Sequence, residues 1–357
     1  MLPTKPRSAR ATRQSAGSRA PGLLPAVWTA GFVGLVDAAP LLMARELGFF
    51  SKRGLRLELR REIGWASARD GVVGGSLAVS HAPAGLVVAA SMGLGCPRVD
   101  CVGFMELNRH GNAITLSKAL SSRLAGNPRN LPSVLAGLGR KVVFGMAHAH
   151  SSHRAILSRW LLDAGVSSLE DVRLVVLPPT QMALNMASGN LDGFCVGEPW
   201  NSLAVARGTG SIAAVSAEVL PGHTEKVVMV RRALHKSEPA RIGDLQHALS
   251  EACAYCEVAS NLPHVVRVVS RAIGTEATEA AVARSLVGPM DFGGTVRRVK
   301  TFHQFTGNPC GPEARRIGLE VERQFQLTRT GPEIPGFGRD QFVRCFSPEQ
   351  SEATTKP

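Results

Sequence analysis

The sequence lacks any long apolar run. A helix that crosses a membrane needs roughly 18 or more apolar residues in succession, whereas Pro25, Thr29 and Gly31 interrupt the longest apolar segment near the N-terminus. That segment also has no small-residue cleavage site of the kind that follows a secretory signal. We therefore expect no membrane insertion and a cytoplasmic location, or a periplasmic one if the start codon is misassigned.

Signatures of metal, cofactor and catalytic chemistry are missing as well. The seven cysteines of this 357-residue chain do not form the disulfide framework of a small secreted domain. Cys253 and Cys256 form one CxxC, but no second CxxC and no histidine pair at zinc-finger spacing accompanies it. No Gly-rich phosphate loop, Gly-x-Ser-x-Gly elbow or pair of catalytic carboxylates stands out. We expect neither an enzyme nor a bound metal or cofactor.

Acidic residues are scarce, so the formal net charge is +13. Residues 1–24 carry five basic residues and no acidic residue, separated by Ser, Ala, Gly and Pro. That composition predicts a disordered, solvated tail, and the alternative is an electrostatic contact with RNA or an acidic partner. We predict disordered tails at 1–26 and 346–357, and no direct nucleic-acid binding.

Between these tails, short apolar runs alternate with segments of helical periodicity. The runs that predict strands are 30–35, 55–59, 78–80, 99–103, 113–116, 141–145, 172–176, a run ending at 197, and 227–230. Strands that alternate with helices indicate an α/β protein with largely parallel sheets. The length of the chain favours about two domains.

The segment 191–200, Leu-Asp-Gly-Phe-Cys-Val-Gly-Glu-Pro-Trp, is the most informative part of the chain. Its apolar run ends in a turn, and Pro199 excludes the α-helical conformation for Glu198. In α/β sheets, ligands bind where strands end. The segment therefore predicts one edge of a ligand cleft, with the ring of Trp200 at the mouth of the turn.

Several further motifs occur in an order that resembles one family. They are Gly31 to Pro40 with Asp37-Ala-Ala-Pro40, Gly48-Phe49-Phe50, Trp65 to Asp70, Gly111 to Ser117, His153 seven residues before Trp160, Pro178 to Met182, Asp192 to Trp200, and Glu225-Lys226. Over roughly residues 28–345 the chain resembles the nitrate/bicarbonate-binding proteins of bacterial ABC importers. Within that family it is most similar to the signal-less cytoplasmic nitrate sensors.

The resemblance implies a type II periplasmic-binding-protein-like fold: two α/β lobes with a cleft between them and two strands that cross the hinge. Lobe 1 would contain residues 27–115 plus 224–345, and lobe 2 would contain 116–223. The ligand-binding residues that the resemblance implies are Trp65, Asn112, His153, Lys226, Glu198 and Trp200.

Nitrate is a flat monoanion with three acceptor oxygens and no donor. A selective site should therefore supply donors, one positive charge and a flat apolar wall. Lys226 would provide the charge, His153 and Asn112 would provide donors, and Trp65 would provide a flat face or an indole N–H. Because bicarbonate needs an acceptor for its O–H and Lys226 cannot accept, we expect nitrate or nitrite as the ligand.

Each of these residues also has a structural interpretation. Lys226 alone is typical of an exposed lysine at the start of a strand. Trp65 could be a packing residue, and Asn112 could shape a turn. Asp37 is expected to cap the helix that follows it. Glu198 is expected to hold the hinge or accept a hydrogen bond in preference to contacting an anion.

Some positions depart from the family pattern. His148, His150 and His153 form a cluster where a proline-containing loop is expected, and a metal site there is the alternative, although no carboxylate accompanies it. Ala78 replaces an acidic residue, and His81 is followed by an unexpected Ala-Pro-Ala-Gly.

The resemblance implies a cytoplasmic sensor in which nitrate closes the lobes and releases an RNA-binding antiterminator protein. The alternative is a solute-binding receptor that delivers the anion to an ABC permease. A third class with this fold makes the thiamine pyrimidine, but its cysteine-rich iron motif is not reproduced by Cys195 or the CxxC. We further expect Lys226→Ala to abolish anion binding and to change the melting temperature by only a few degrees.

Overall fold

A computed structural model describes residues 26–166, 168–274, 278–287, 289–299, 302–328 and 337–348. The strands are β1 (Trp28–Val33), β2 (Leu57–Glu62), β3 (Val79–Pro83), β4 (Cys101–His110), β5 (Asn112–Ser117), β6 (Val142–Met146), β7 (Val172–Val176), β8 (Gly193–Gly197), β9 (Gly210–Val215), β10 (Thr224–Arg231), β11 (Met290–Asp291), β12 (Val296–Arg297) and β13 (His303–Pro309).

The helices are α1 (Ala39–Glu46), α2 (Phe49–Lys52), α3 (Trp65–Gly74), α4 (Ala84–Met92), α5 (Lys118–Leu124), α6 (Leu131–Gly137), α7 (Ser152–Asp163), α8 (Met182–Ala187), α9 (Trp200–Ala206), α10 (Ser216–Val219), α11 (Arg232–Ser237), α12 (Pro239–Glu257), α13 (Leu262–Ile273), α14 (Glu279–Val287), α15 (Cys310–Leu327) and α16 (Arg339–Arg344). Gly48, with φ of 70°, separates α1 from α2 in a left-handed conformation that glycine adopts without steric cost.

Within the described residues, the long strands form two sheets. The first has the order β13-β4-β10-β3-β1-β2, and the second has the order β7-β6-β8-β5-β9. Helices α3 and α4 pack on the first sheet, and α7 packs on the second. The middle of the central strand β10, Val227 to Val230, is apolar and fully buried because both faces of the strand are covered.

Among the described residues, two connections join a strand of the first sheet directly to a strand of the second. One passage is Gly111, between β4 and β5, and the other is the segment 216–223, between β9 and β10. Gly111 has φ of 90°, and a Cβ at this position would overlap the ring of His303. Only glycine fits both the backbone conformation and the close approach.

The prediction of largely parallel sheets is wrong. Five of the nine strand pairings described in the two sheets are antiparallel. Strand β10 enters the first sheet from the other lobe and therefore runs against β3 and β4. Strand β5 runs against β8 and β9 in the same way. The sequence patterns also missed β9 and β13 as strands.

Three predicted boundaries differ from the structure. Strand β5 pairs with β8 and β9 of the second sheet, so the first part of lobe 1 ends at Gly111 and not at residue 115. Met290 packs with Ile212 and Val215 of β9, so the β11–β12 hairpin lies against the second sheet, although its residues were assigned to lobe 1. The predicted C-terminal tail begins at Phe346, yet that side chain is fully buried beside Gly103. The predicted tail at 1–26 lies outside the described residues except for Ala26, and so do residues 349–357.

The two lobes are closed against each other. The ring of His150, from the segment before α7, stacks on Phe325 of α15 with centroids 5.8 Å apart and an interplanar angle of 7°. Arg69 of α3 lies 3.5 Å from His148, measured from Nη1 to Nε2. In the described part of the chain, no helix is long and apolar enough to span a membrane.

Candidate functional site

Lys226 lies at the interface of the lobes, near the start of β10, and is fully buried. Its Nζ lies 2.8 Å from Asp37 Oδ2 and donates a 2.5 Å hydrogen bond to Glu225 Oε1. Burial opposes the charged form, but the two carboxylates outweigh it and raise the pKa of Lys226 above its ordinary value. Lys226 is therefore a buried cation, and the alternative of an exposed surface lysine is wrong.

Glu225 connects this cation to the second lobe. Its Oε2 accepts a 2.5 Å hydrogen bond from Ser152 Oγ, at the N-terminal end of α7, and lies 3.0 Å from His223 Nε2. Burial raises the pKa of Glu225, but Lys226 and His223 outweigh it and hold that pKa well below its usual range. A carboxylate at a helix N-terminus is additionally stabilised by the helix dipole.

His223 carries a positive charge in this arrangement. Its Nδ1 lies 2.8 Å from the backbone oxygen of Leu220, and its Nε2 faces the Glu225 carboxylate. Both neighbours only accept, so both ring nitrogens must donate, and a ring with two N–H groups is an imidazolium. Burial lowers the pKa of His223, but the hydrogen bond and charge of Glu225 outweigh it and raise that pKa.

Asp37 completes the charged group. The expectation that it caps a helix is wrong, because neither the short 3₁₀ turn Val36–Ala38 nor α1 has a side-chain cap. Its Oδ1 instead lies 3.1 Å from His81 Nε2, opposite its ion pair with Lys226. Burial raises the pKa of Asp37, but Lys226 and His81 lower it to about 2. Asp37 and Glu225 thus balance Lys226 and His223.

His153 and Asn112 form a second buried pair beside this group. His153 Nε2 lies 3.1 Å from Asn112 Oδ1, and both residues are fully buried. The pair joins α7 to the first residue of β5, next to the Gly111 crossing. Burial lowers the pKa of His153 to about 4, so the ring is neutral at pH 7.

Trp65, at the start of α3, supplies the flat wall. Lys226 Nζ lies 5.1 Å from the Trp65 ring centroid, which is within the range of a cation–π contact, and His81 packs edge-on at 5.0 Å. Trp65 is 1% exposed. The structure therefore brings Trp65, Asn112, His153 and Lys226 into one buried polar cluster.

Four nitrogen atoms of this cluster have no hydrogen-bond partner among the described residues: Trp65 Nε1, Asn112 Nδ2, His153 Nδ1 and His81 Nδ1. Buried polar atoms are normally satisfied, because an unmade hydrogen bond costs about 1–3 kcal/mol. Two of these atoms, Trp65 Nε1 and Asn112 Nδ2, are donors, and unpartnered donors beside a buried cation are what a small anion would satisfy. The cluster can therefore bind an oxyanion, and a ligand enters only when the lobes separate.

Glu198 and Trp200 do not belong to this cluster. The Glu198 carboxylate accepts hydrogen bonds from the backbone N–H of Ser202 at 3.0 Å, from Ser202 Oγ at 3.1 Å and from Ser285 Oγ at 3.3 Å. Trp200 Nε1 donates to the backbone oxygen of Gly34 at 3.2 Å. Their polar atoms hold the crossing region together, as expected for Glu198, and that these two residues bind ligand stays a prediction.

Glu198 predicts a measurable pH dependence of folding. Burial raises its pKa from 4.5 to about 7, so between these values the unfolded chain ionises while the folded protein keeps its proton. The free energy of unfolding should therefore fall by about 3 kcal/mol as pH rises from 4.5 to 7 and stay level above 7. In Glu198→Gln this component should be absent, so the free energy of unfolding of the variant should rise relative to that of the wild type as pH increases. Urea unfolding across this range measures the difference, and a constant difference would show that Glu198 is ionised throughout.

The three histidines before and in α7 do not converge on one point. His148 lies beside Arg69, and its Nδ1 accepts from the backbone N–H of His150 at 3.1 Å. His150 stacks on Phe325, whereas His153 pairs with Asn112. Among the described residues, no group of three His, Cys, Asp or Glu side chains is placed to hold a metal ion.

The sequence patterns did not assign several residues to this cluster. Asp37 was visible as a lone charge within the apolar segment 31–44, which is the pattern of a buried ion pair. Ser152 and His223 gave no signal, because their contacts join distant parts of the chain. His303 lies beside Gly111, has no partner for either ring nitrogen among the described residues, and has its pKa lowered by burial to about 4.

The comparisons with known proteins agree with this architecture. The model of the NMT1-like family matches residues 25–270. The chain belongs to the NMT1-like family. A solved structure, the periplasmic nitrate-binding protein NrtA from Synechocystis PCC 6803, superposes with a TM-score of 0.81 at 22% identity, over 89% of this chain and 84% of that one. The predicted fold class, type II periplasmic-binding-protein-like with two α/β lobes, is confirmed.

Two curated relatives of this NMT1-like protein come from Synechocystis strain PCC 6803. The nitrate import ATP-binding protein NrtC is 39% identical over 230 residues, which is 64% of this chain. The bicarbonate transport ATP-binding protein CmpC is 38% identical over 231 residues, which is 63% of this chain. The matches span about a third of those proteins, 34% of each. The predicted resemblance to nitrate/bicarbonate-binding proteins of ABC importers is confirmed.

Proposed function

We propose that this protein binds nitrate or nitrite between its lobes and closes around the anion. The observation that carries the proposal is the set of buried, unpartnered nitrogens on Trp65, Asn112 and His153, contributed by both lobes beside the buried cation Lys226. Lys226 has a third N–H besides those used by Asp37 and Glu225. Ligand contacts from two lobes stabilise the closed form over the open one, so binding changes the conformation.

We further propose that closure is read as a signal in the cytoplasm. The ligand would shift the open–closed equilibrium, and an RNA-binding antiterminator protein held by one form would be released by the other. The output is then a change of partner, and the protein regulates nitrate-assimilation genes without chemistry of its own.

The second candidate is a solute-binding receptor that delivers the anion to an ABC permease. It is favoured by the likeness to the periplasmic NrtA structure and by the import and transport names of the relatives. The product of the neighbouring gene distinguishes the two: a response-regulator-like RNA-binding protein supports the sensor, and an importer permease supports the receptor.

A panel of anions tests the proposal directly. At a hundredfold excess over its dissociation constant, a ligand that binds only the folded protein should raise the free energy of unfolding by about 2.7 kcal/mol. We expect nitrate and nitrite to raise the melting temperature, and chloride at equal ionic strength to serve as the control. A flat response to nitrate, nitrite and bicarbonate would contradict anion binding altogether.

A further inference from the structure

The Asn112–His153 pair has a fixed hydrogen-bonding inventory. Asn112 Oδ1 only accepts, so the ring nitrogen 3.1 Å away, Nε2, must donate. In a neutral imidazole the other nitrogen, Nδ1, then has a lone pair and no proton. The pair therefore offers a ligand one donor group, the Asn112 amide nitrogen, and one acceptor, His153 Nδ1.

Turning the Asn112 amide by 180° does not change this result. The amide nitrogen would then donate to Nε2, the ring proton would move to Nδ1, and the amide oxygen would become the unpartnered acceptor. In either orientation, a neutral His153 leaves one acceptor in the cluster. Nitrate has three acceptor oxygens and no proton to give, so that acceptor would face an oxygen. A second ring proton removes the conflict, because Asn112 Nδ2 and His153 Nδ1 then both donate.

The charge of the cluster leads to the same requirement. Lys226 and His223 balance Asp37 and Glu225, so the group is neutral without a ligand. A nitrate added alone would bury one uncompensated negative charge, which is costly in a site of this burial. A proton added with the nitrate keeps the cluster neutral.

We propose that His153 takes up one proton when nitrate binds, so that the proton acts as a co-ligand of the anion. The proposal rests on the proposed function of the site. An anion with its own O–H, such as bicarbonate, can donate to the His153 lone pair and does not need this proton. As pH falls and the His153 ring is protonated, the site should therefore bind oxyanions without a proton, such as nitrate, in preference to those with an O–H, such as bicarbonate.

The surroundings of His153 permit this uptake. The charged and titratable groups that act on the ring are Glu225 and Lys226 of β10, Asp37 of the turn after β1, His223, and His148 of the segment before α7. Burial holds the pKa of the free ring at about 4, and a bound anion next to it would raise that value. Between the two pKa values the ring is neutral without nitrate and charged with it. Nitrate affinity should therefore fall tenfold for each unit of rising pH in that range.

The test is a titration of the weakly buffered protein with sodium nitrate at pH 6, held constant by added acid. We expect about one equivalent of acid to be taken up per nitrate bound. The dissociation constant for nitrate should be tenfold larger at pH 7 than at pH 6. In His153→Gln, the side-chain amide supplies a donor that does not titrate, so proton uptake should fall to near zero. Nitrate binding without proton uptake by the wild type would overturn this inference and leave the proposed function intact. No nitrate binding between pH 5 and pH 8 would overturn both.

A matched variant identifies the ring that takes up the proton. His303 also has unpartnered ring nitrogens among the described residues and lies beside Gly111, so His303→Gln is the control. This variant should retain an uptake of about one proton per nitrate. If His153→Gln does not bind nitrate, the control still decides, because loss of uptake in His303→Gln would overturn the assignment to His153.

Discussion

Replacing Lys226 by Met should abolish measurable nitrate binding and also strongly destabilise the protein. Removing one partner of a buried ion pair leaves the other charge uncompensated, which lowers the free energy of unfolding by about 3–5 kcal/mol. Here the remaining carboxylates of Asp37 and Glu225 are both fully buried or nearly so. From the sequence, loss of this lysine is expected to change the melting temperature by only a few degrees. The structure instead predicts a large decrease in the melting temperature.

A second variant separates the two effects. In Asp37→Asn/Lys226→Met, one negative and one positive charge are removed together, and the new amide oxygen can still accept from His81 Nε2. Glu225 keeps its contacts with His223 and Ser152. The free energy of unfolding should recover most of its loss, because no buried charge is left without a partner.

Nitrate affinity should not recover in the double variant. Losing one partner of a buried, charge-assisted hydrogen bond costs about 2–5 kcal/mol of binding free energy, which is at least about a thirtyfold loss of affinity. Isothermal titration calorimetry and urea unfolding of the three proteins give both quantities. Wild-type affinity in the double variant would show that Lys226 only holds the fold and has no contact with the anion.

The outcome for Lys226 shows what a sequence can reveal about a buried charge. The Glu225-Lys226 motif identified the residue, but its burial depends on Asp37, which is 189 positions earlier in the chain. A local sequence pattern cannot report a contact between residues that are so far apart in the chain. The alternating elements and the apolar run Val227–Val230 were readable because periodicity is a local property.

The contacts of Glu198 and Trp200 also involve residues distant in the chain. Both residues stand where a strand ends, which is where ligands bind in α/β sheets. Their side chains are hydrogen-bonded to Ser202, Ser285 and Gly34, and these contacts stabilise the hinge region. Which side chains face the cleft is decided by how the second lobe packs on the first.

Gly85→Ala should weaken nitrate binding by about 5- to 150-fold and leave the fold intact. Gly85 lies in α4 of the first lobe, and a Cβ there would overlap the backbone oxygen of His150 in the second lobe. Overpacking a tight contact costs about 1–3 kcal/mol, and here the cost is confined to the closed form. Since binding requires closure, the loss of closed population reduces the apparent affinity by the same factor.

The open form of the variant should be unaffected or slightly more stable. Separated lobes relieve the overlap, and alanine has a better helix propensity than glycine in α4 by about 0.8–1 kcal/mol. Small-angle scattering should show that saturating nitrate compacts the wild type, whereas the same nitrate concentration compacts Gly85→Ala less. Calorimetric titration gives the loss of affinity in the same samples.

Gly243→Ala is the matched control. Gly243 lies within α12, and a Cβ at that position meets no atom within 4 Å, so the helix gains propensity without any contact between the lobes. This variant should bind nitrate as the wild type does and compact to the same extent. Wild-type affinity in Gly85→Ala as well would show that the segment before α7 does not pack on α4 in the bound state. The lobes would then close around the anion along a different surface from the one seen here.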